Sequence, residues 1–257
     1  MIPLPEMSVN EIEVFFVEQK ISEQHFLIIF MAFYQRVDGQ LSAYAVWALI
    51  TFIRNFGAES TSLPLAQLTK ATGIQTKKLR VVLNELEQHG ILKIDFPETG
   101  KRARVRHLQL NLAYISDDLI MSVYSLDNII KRMSRKFPLL KFIELLFMKS
   151  AEIKISNLPK KTETDCNLDY RSYLVLLRLI YGADSFGIVV GCGIGEIERA
   201  TGLNKQSIYR AIQQLKQFGF IRCQANGAIR NSFIQTESPI YALNLSHKFW
   251  GDAAIYG

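Results

Sequence analysis

The sequence predicts a mostly α chain of the α+β class. It reads as two copies of one helix–turn–helix unit, each closed by a small β-hairpin, with a helical connector between them. Two observations predict this. Residues 65–94 (LAQLTKATGIQTKKLRVVLNELEQHGILKI) and 194–223 (IGEIERATGLNKQSIYRAIQQLKQFGFIRC) align at a constant offset. Ala71, Thr72 and Gly73 fall on Ala200, Thr201 and Gly202, while Leu86, Gln88 and Gly90 fall on Leu215, Gln217 and Gly219. Around each central glycine the apolar residues recur with helical spacing, and after the last glycine the pattern becomes that of a strand. The 257 residues also exceed the usual size of one domain. The expected division is 1–115 for the N-terminal helices plus the first unit, 116–170 for the connector, and 171–257 for the second unit.

The leading segment reads as helix. Ser8 and Glu11 have capping-box spacing, and Ile12, Phe15 and Phe16 make an apolar side. A second helix starts near Ser22 and is apolar nearly all round through Phe26–Met31, which implies burial against several partners; Asp38-Gly39 ends it. A helix from about Ala43 to Phe56 follows, and Tyr44 and Val46 match Tyr173 and Val175 at the repeat offset. After the turn at Gly57 comes the first helix–turn–helix core, 65–89. Ile91–Phe96 then reads as a strand, Pro97–Gly100 as a turn and Val105–Leu112 as the returning strand.

In the connector, Leu119, Val123, Leu126, Ile130 and Met133 give one apolar seam, and a further helix is expected over Leu139–Met148. Pro159–Leu168 reads as a polar loop. The second unit opens with a helix over Tyr173–Tyr181 and a glycine-rich stretch, Gly187–Gly195. That stretch lacks the lysine and hydroxyl residue of a phosphate-binding loop and the spacing of a dinucleotide fingerprint, so it is read as a short strand and turn. Asn226-Gly227 signals a hairpin, and Tyr241–Leu245 repeats the Leu-Asn-Leu ending of Leu110–Leu112.

Composition excludes several classes of protein without choosing one. A hydrophobic share of 49% with 21% charged residues suits a globular chain, and a net charge of +6 suits nucleic acid, an anionic membrane or a solvated surface equally. Cys166, Cys192 and Cys223 show no metal-ligand spacing, and free thiols in a reducing compartment are expected. Glu6, Glu11 and Glu13 argue against a signal peptide, and Phe26–Tyr34 is far shorter than the ~20 residues of a membrane span. A cytoplasmic protein with no membrane partner is therefore expected. His25, His89, His107 and His247 are scattered, and no local Ser/His/Asp or Cys/His set stands out. No enzyme, metal or cofactor is expected.

The chemistry concentrates on the second helix of each core. Leu79, Val82, Leu83 and Leu86, like Ile208, Ala211, Ile212 and Leu215, fall at i, i+3, i+4 and i+7 and should pack inward. Outward from the first turns stand Gln75, Thr76, Lys77, Lys78 and Arg80 in one unit. In the other they are Asn204, Lys205, Gln206, Ser207, Tyr209 and Arg210. Amide, hydroxyl and basic groups bond base edges and phosphates, although any helix start tends to be polar. The duplicated Ala-Thr-Gly turn favours the functional reading, because it presents the second helix in the manner of a DNA-reading element. Lys101, Arg102, Arg104 and Arg106 cluster at the first hairpin, either as a phosphate or minor-groove contact or as a charge-protected edge strand; their place beside the second helix favours the contact. The second hairpin is milder, with Arg222, Arg230 and Asn231.

On these motifs, residues 43–112 and 172–245 resemble winged helix–turn–helix domains of bacterial transcription regulators and of plasmid or phage replication proteins. Residues 200–221 (ATGLNKQSIYRAIQQLKQFGFI) carry the likeness best. Such motifs usually have alanine four residues before the turn glycine, where this chain has Thr69 and Glu198. The resemblance implies double-stranded DNA as the partner, gripped at two major-groove segments roughly one helical turn apart. The process served would be replication initiation or transcription regulation. The N-terminal helices and the 119–148 connector are the candidate homodimer surfaces. The competing expectation is a winged-helix scaffold subunit that binds protein partners in a chromosome-condensing or similar complex.

Overall fold

A computed structural model of the chain describes residues 34, 39–56, 61–95, 105–111, 139–150, 168–225 and 239–253. The expected helices before residue 34, the 119–133 seam, the polar loop 159–167 and the Asn226-Gly227 turn lie outside them. The chain is α+β, with small antiparallel sheets. It divides into two units, one of residues 1–36 and 48–126 and the other of 37–47 and 127–257. Helix α1 (Ala43–Phe56) therefore begins in the second unit and continues in the first.

In the first unit, β1 (Thr61–Pro64) leads into α2 (Leu65–Thr72), a turn, α3 (Thr76–Gln88), β2 (Leu92–Asp95) and β3 (Val105–Leu110). The sheet order is β1-β3-β2, all antiparallel, with Ile94 opposite Leu108 and Leu63 opposite Arg106. The β1 strand is a correction to the sequence reading, which has nothing between Gly57 and the helical core. Its residues, Thr-Ser-Leu-Pro, give no alternation to detect, and Pro64 is tolerated because β1 is an edge strand. Leu68, Leu79, Val82, Leu83, Leu86, Ile91, Leu92, Ile94, Leu108 and Leu110 are buried. The α3 stripe and the inward face of the sheet thus share one core.

The second unit repeats the order. Helix α5 (Tyr170–Tyr181), β4 (Ile188–Val189), α6 (Ile194–Thr201), α7 (Lys205–Gln217), β5 (Ile221–Ala225) and β6 (Ile240–Leu243) follow in turn, with sheet order β4-β6-β5. Helix α4 (Leu140–Lys149) precedes them, and a 3₁₀ segment (Lys248–Ala253) closes the unit. Helix α5 starts earlier than its apolar pattern indicates, because Asp169 caps it by accepting from the Ser172 amide at 2.8 Å. It is buried on nearly every side, with α4, α6 and α7 against it.

The duplicated residues do the same work twice. Gly73 and Gly202 are left-handed (φ 69° and 64°), and their amides close the preceding helices onto the carbonyls of Thr69 and Glu198. The hydroxyls of Thr72 and Thr201 donate to the carbonyls of Leu68 and Ile197, and accept from the amides of Ile74 and Leu203. Threonine thus fastens each turn from inside, with Ile74 and Leu203 buried beneath it. At the far end of the second helix, Gly90 and Gly219 form matching Schellman caps. The Ile91 amide reaches the Leu86 carbonyl at 2.9 Å, and the Phe220 amide reaches that of Leu215 at 2.8 Å. Asn111 and Asn244 then bind these caps, donating side-chain N–H to the carbonyls of Gly90 (2.7 Å) and Gly219 (2.9 Å). The repeated Leu-Asn ending therefore ties the last strand to the end of the second helix.

Two further features are seen in the second unit. The segment before α1 lies over the Gly202 turn, where the Gly39 amide donates to the Arg199 carbonyl at 2.7 Å and Tyr44 stacks on Tyr170 with centroids 5.3 Å apart. A Cβ on Gly202 would stand 2.3 Å from the Leu41 carbonyl oxygen. Behind the sheet, the 3₁₀ segment brings Phe249 and Trp250 against Phe220, and Trp250 also meets Phe142 of α4 edge-on at 5.1 Å. His247 stacks on Phe220 at 4.3 Å. Its Nδ1 accepts from the Phe249 amide and its Nε2 faces the Phe218 carbonyl at 2.9 Å, which requires the neutral ring protonated on Nε2.

Two stability measurements check this account. Gly90→Ala should cost only the left-handed penalty of about 1–2 kcal/mol, since nothing lies within 4 Å of its added Cβ. Gly202→Ala should cost about 3 kcal/mol or more, because overpacking adds to the same penalty. Equal shifts in the urea midpoints would rule out the clasp over Gly202. For His247, burial holds the ring below its ordinary 6.5, with Lys248 acting in the same direction against the Phe218 bond. The unfolded chain then binds the proton more readily, so the His247 contribution is complete above about pH 6.5 and is lost as the pH falls through the depressed value. Thermal melts should show that loss in the wild type and a weaker one in His247→Gln.

Candidate nucleic-acid interface

Each second helix has its rotation set by its core. On α3 the buried residues are Leu79, Val82, Leu83 and Leu86, and on α7 they are Ile208, Ala211, Ile212 and Leu215. The α7 setting is reinforced by a 2.7 Å hydrogen bond from the Ser172 hydroxyl of α5 to Gln214. Everything on the opposite side then faces away from the unit.

Gln75, Thr76, Lys77, Lys78 and Arg80 stand together at the exposed start of α3. In the second unit Asn204, Lys205, Gln206, Tyr209 and Arg210 are exposed and Ser207 is half-buried. Lys101, Arg102, Arg104, Arg230 and Asn231 lie outside the described residues. Arg106 has its backbone in β3, paired with Leu63, while its side chain lies outside them as well. Arg222 is exposed and donates from Nε to the Asn244 side-chain oxygen at 2.9 Å, so it braces the hairpin to the helix cap.

Asn204 has a structural duty that the sequence reading did not assign. Its side-chain oxygen accepts from the Ser207 amide at 2.9 Å and so caps α7. Gln75, at the matching position, makes no such cap. Thr69, at the position where alanine is usual, has its hydroxyl 3.4 Å from that of Thr76. Glu198 is half-exposed and fits the α6 surface without entering the core.

On both helices the outward face extends one turn beyond the residues expected from the sequence. Val81 is 65% exposed, and Asn84 and Gln213 are also exposed. Lys77, Val81 and Asn84, at i, i+4 and i+7, run along the line opposite the buried stripe of α3, as Gln206, Arg210 and Gln213 do on α7. The complement of the apolar periodicity would have found them.

Electrostatically, neither helix carries an acidic residue in its first turn. A helix start ordinarily gains stability from Asp or Glu there, whereas lysines add to the positive end of the dipole. Lys77, Lys78 and Lys205 thus oppose helix stability locally and favour an anion. The groups displaced by burial lie elsewhere. Burial pushes the Tyr241 and Tyr170 hydroxyls up to about 12, raises the Cys192 thiol and lowers His247. They mark packing in the second unit. Among the described residues, no group of three or more His, Cys, Asp or Glu could hold a metal ion, and no helix is long and apolar enough to cross a membrane. The chain matches no protein-family model and no curated protein.

The unequal capping makes a direct prediction. Asn204→Ala should lower stability by about 1 kcal/mol, and Gln75→Asn should raise it by up to a similar amount. Urea unfolding of the two variants checks both signs.

Proposed function

We propose that the chain is a sequence-specific double-stranded-DNA-binding protein with two winged helix–turn–helix modules, acting as a plasmid- or phage-type replication initiator or as a transcription regulator. The observation that carries this reading is the pair of exposed helix faces, built by the same glycine turns and populated by basic and amide side chains. The order of elements supports it. A helix, strand, helix, turn, helix and two further strands, with the last strand central in the sheet, occurs in both units. In helix–turn–helix proteins it is the second helix that enters the major groove.

In this reading Lys101, Arg102, Arg104 and Arg106 neutralise phosphate beside the first module. Gln75, Lys78, Gln206, Ser207 and Arg210 contact bases, and Asn204 sets the entry of α7. Direct repeats of the bound site beside the gene would favour the initiator, and a single operator the regulator. The scaffold reading draws on exposed apolar residues of the second unit, Phe186 and Val190 on either side of β4 and Ile240 at the start of β6. A protein-binding scaffold would show little affinity for random duplex that survives added salt.

Arg104→Ala should weaken binding about equally on all duplexes and lower the salt slope by about 1, whereas Arg210→Ala should cost about 1–3 kcal/mol on the preferred site only. Titrations of specific and random duplex at two salt concentrations distinguish these effects. If neither variant changes affinity or preference, the DNA-reading assignment fails.

A further inference from the structure

The repeat preserves the inward side of the second helix and rewrites the outward side. Inside, Leu79, Val82, Leu83 and Leu86 face Ile208, Ala211, Ile212 and Leu215 in the alignment, apolar for apolar. Outside, Lys77 becomes Gln206, Arg80 becomes Tyr209, Val81 becomes Arg210, and Asn84 becomes Gln213. The sharpest change falls at the outermost point of the helix. Val81 there is 65% exposed, flanked by Lys77, Arg80 and Asn84. A β-branched residue gains nothing for helix propensity at such a position and leaves apolar surface in water.

We propose that the two modules read unlike half-sites, with Val81 packing on a thymine C5-methyl group in one and Arg210 bonding a guanine edge in the other. This rests on the DNA-binding reading above. The occupant is double-stranded DNA because the Val81 methyls sit among basic side chains on a face with no acid in its first turn, complementary to phosphate on both sides of an exposed groove. In a major groove the one apolar feature offered by a base pair is the thymine methyl, and the commonest partner of arginine is guanine O6 with N7. A lysine or glutamine at position 81 would serve solvation better than Val81 does, but would not match that methyl. The site is then asymmetric, and a palindrome is the wrong search pattern for it.

Selection of bound sequences from a random duplex pool, with the full chain and with Val81→Ser and Arg210→Ala, tests this. Both residues are exposed, so the melting temperatures should match the wild type. The wild type should enrich two unlike blocks. Val81→Ser should lose preference at one thymine and leave the other block intact, while Arg210→Ala should lose a guanine in the other block, roughly a 5- to 150-fold loss at that position. Replacing that thymine by deoxyuridine removes only the methyl group. It should weaken wild-type binding about fourfold and leave Val81→Ser unaffected. Two identical blocks, or a deoxyuridine site bound as tightly as thymine, would overturn the inference while DNA reading stands. No enrichment of any sequence would overturn both.

Discussion

The rotational setting of one helix governs each unit. The second helix is entered through a left-handed glycine, Gly73 or Gly202, and left through another, Gly90 or Gly219. Between them its four-residue apolar stripe has one low-energy orientation, into the core. Turning the helix by a single residue would expose that stripe and bury lysine or arginine, a loss no local contact could offset. The threonine hydroxyls and the asparagine staples act on the same helix from its two ends. The outward face is thus a consequence of the inward one.

That constraint explains why duplication could preserve the architecture while letting the surface diverge. Positions that pack and the turn glycines are held in register between the copies, and an asparagine binds each Schellman turn, four residues out of register in the second. Positions along the outward line are free of the core and have drifted in charge, size and hydrogen-bonding capacity. The supports have diverged as well. Asn204 caps α7, whereas Gln75 leaves the start of α3 without a side-chain cap. The Gly202 turn is overlaid by residues 39–43.

Much of this was legible in the residues. Helical spacing located α1 over Ala43–Phe56 and named every buried position on both second helices. The glycines announced the turns because few other residues adopt their backbone angles. The outward site residues followed as the complement of the apolar stripe, though only over the first turns. Less was legible where a segment has no period of its own. Thr61–Pro64 becomes a strand because β3 pairs with it, and Lys248–Ala253 acquires its place from Phe220 and Phe142.

Local sequence settled which residues face the core, where the helices stop and which polar groups are left outside, since periodicity and glycine stereochemistry act within a few residues. Tertiary structure alone decided that the Gly202 turn is covered by Leu41–Ala43, that His247 is held neutral against Phe220, and that Asn111 and Asn244 close their helices. Each of these pairs groups far apart in the chain, and such encounters depend on how whole elements pack, which no window of sequence contains.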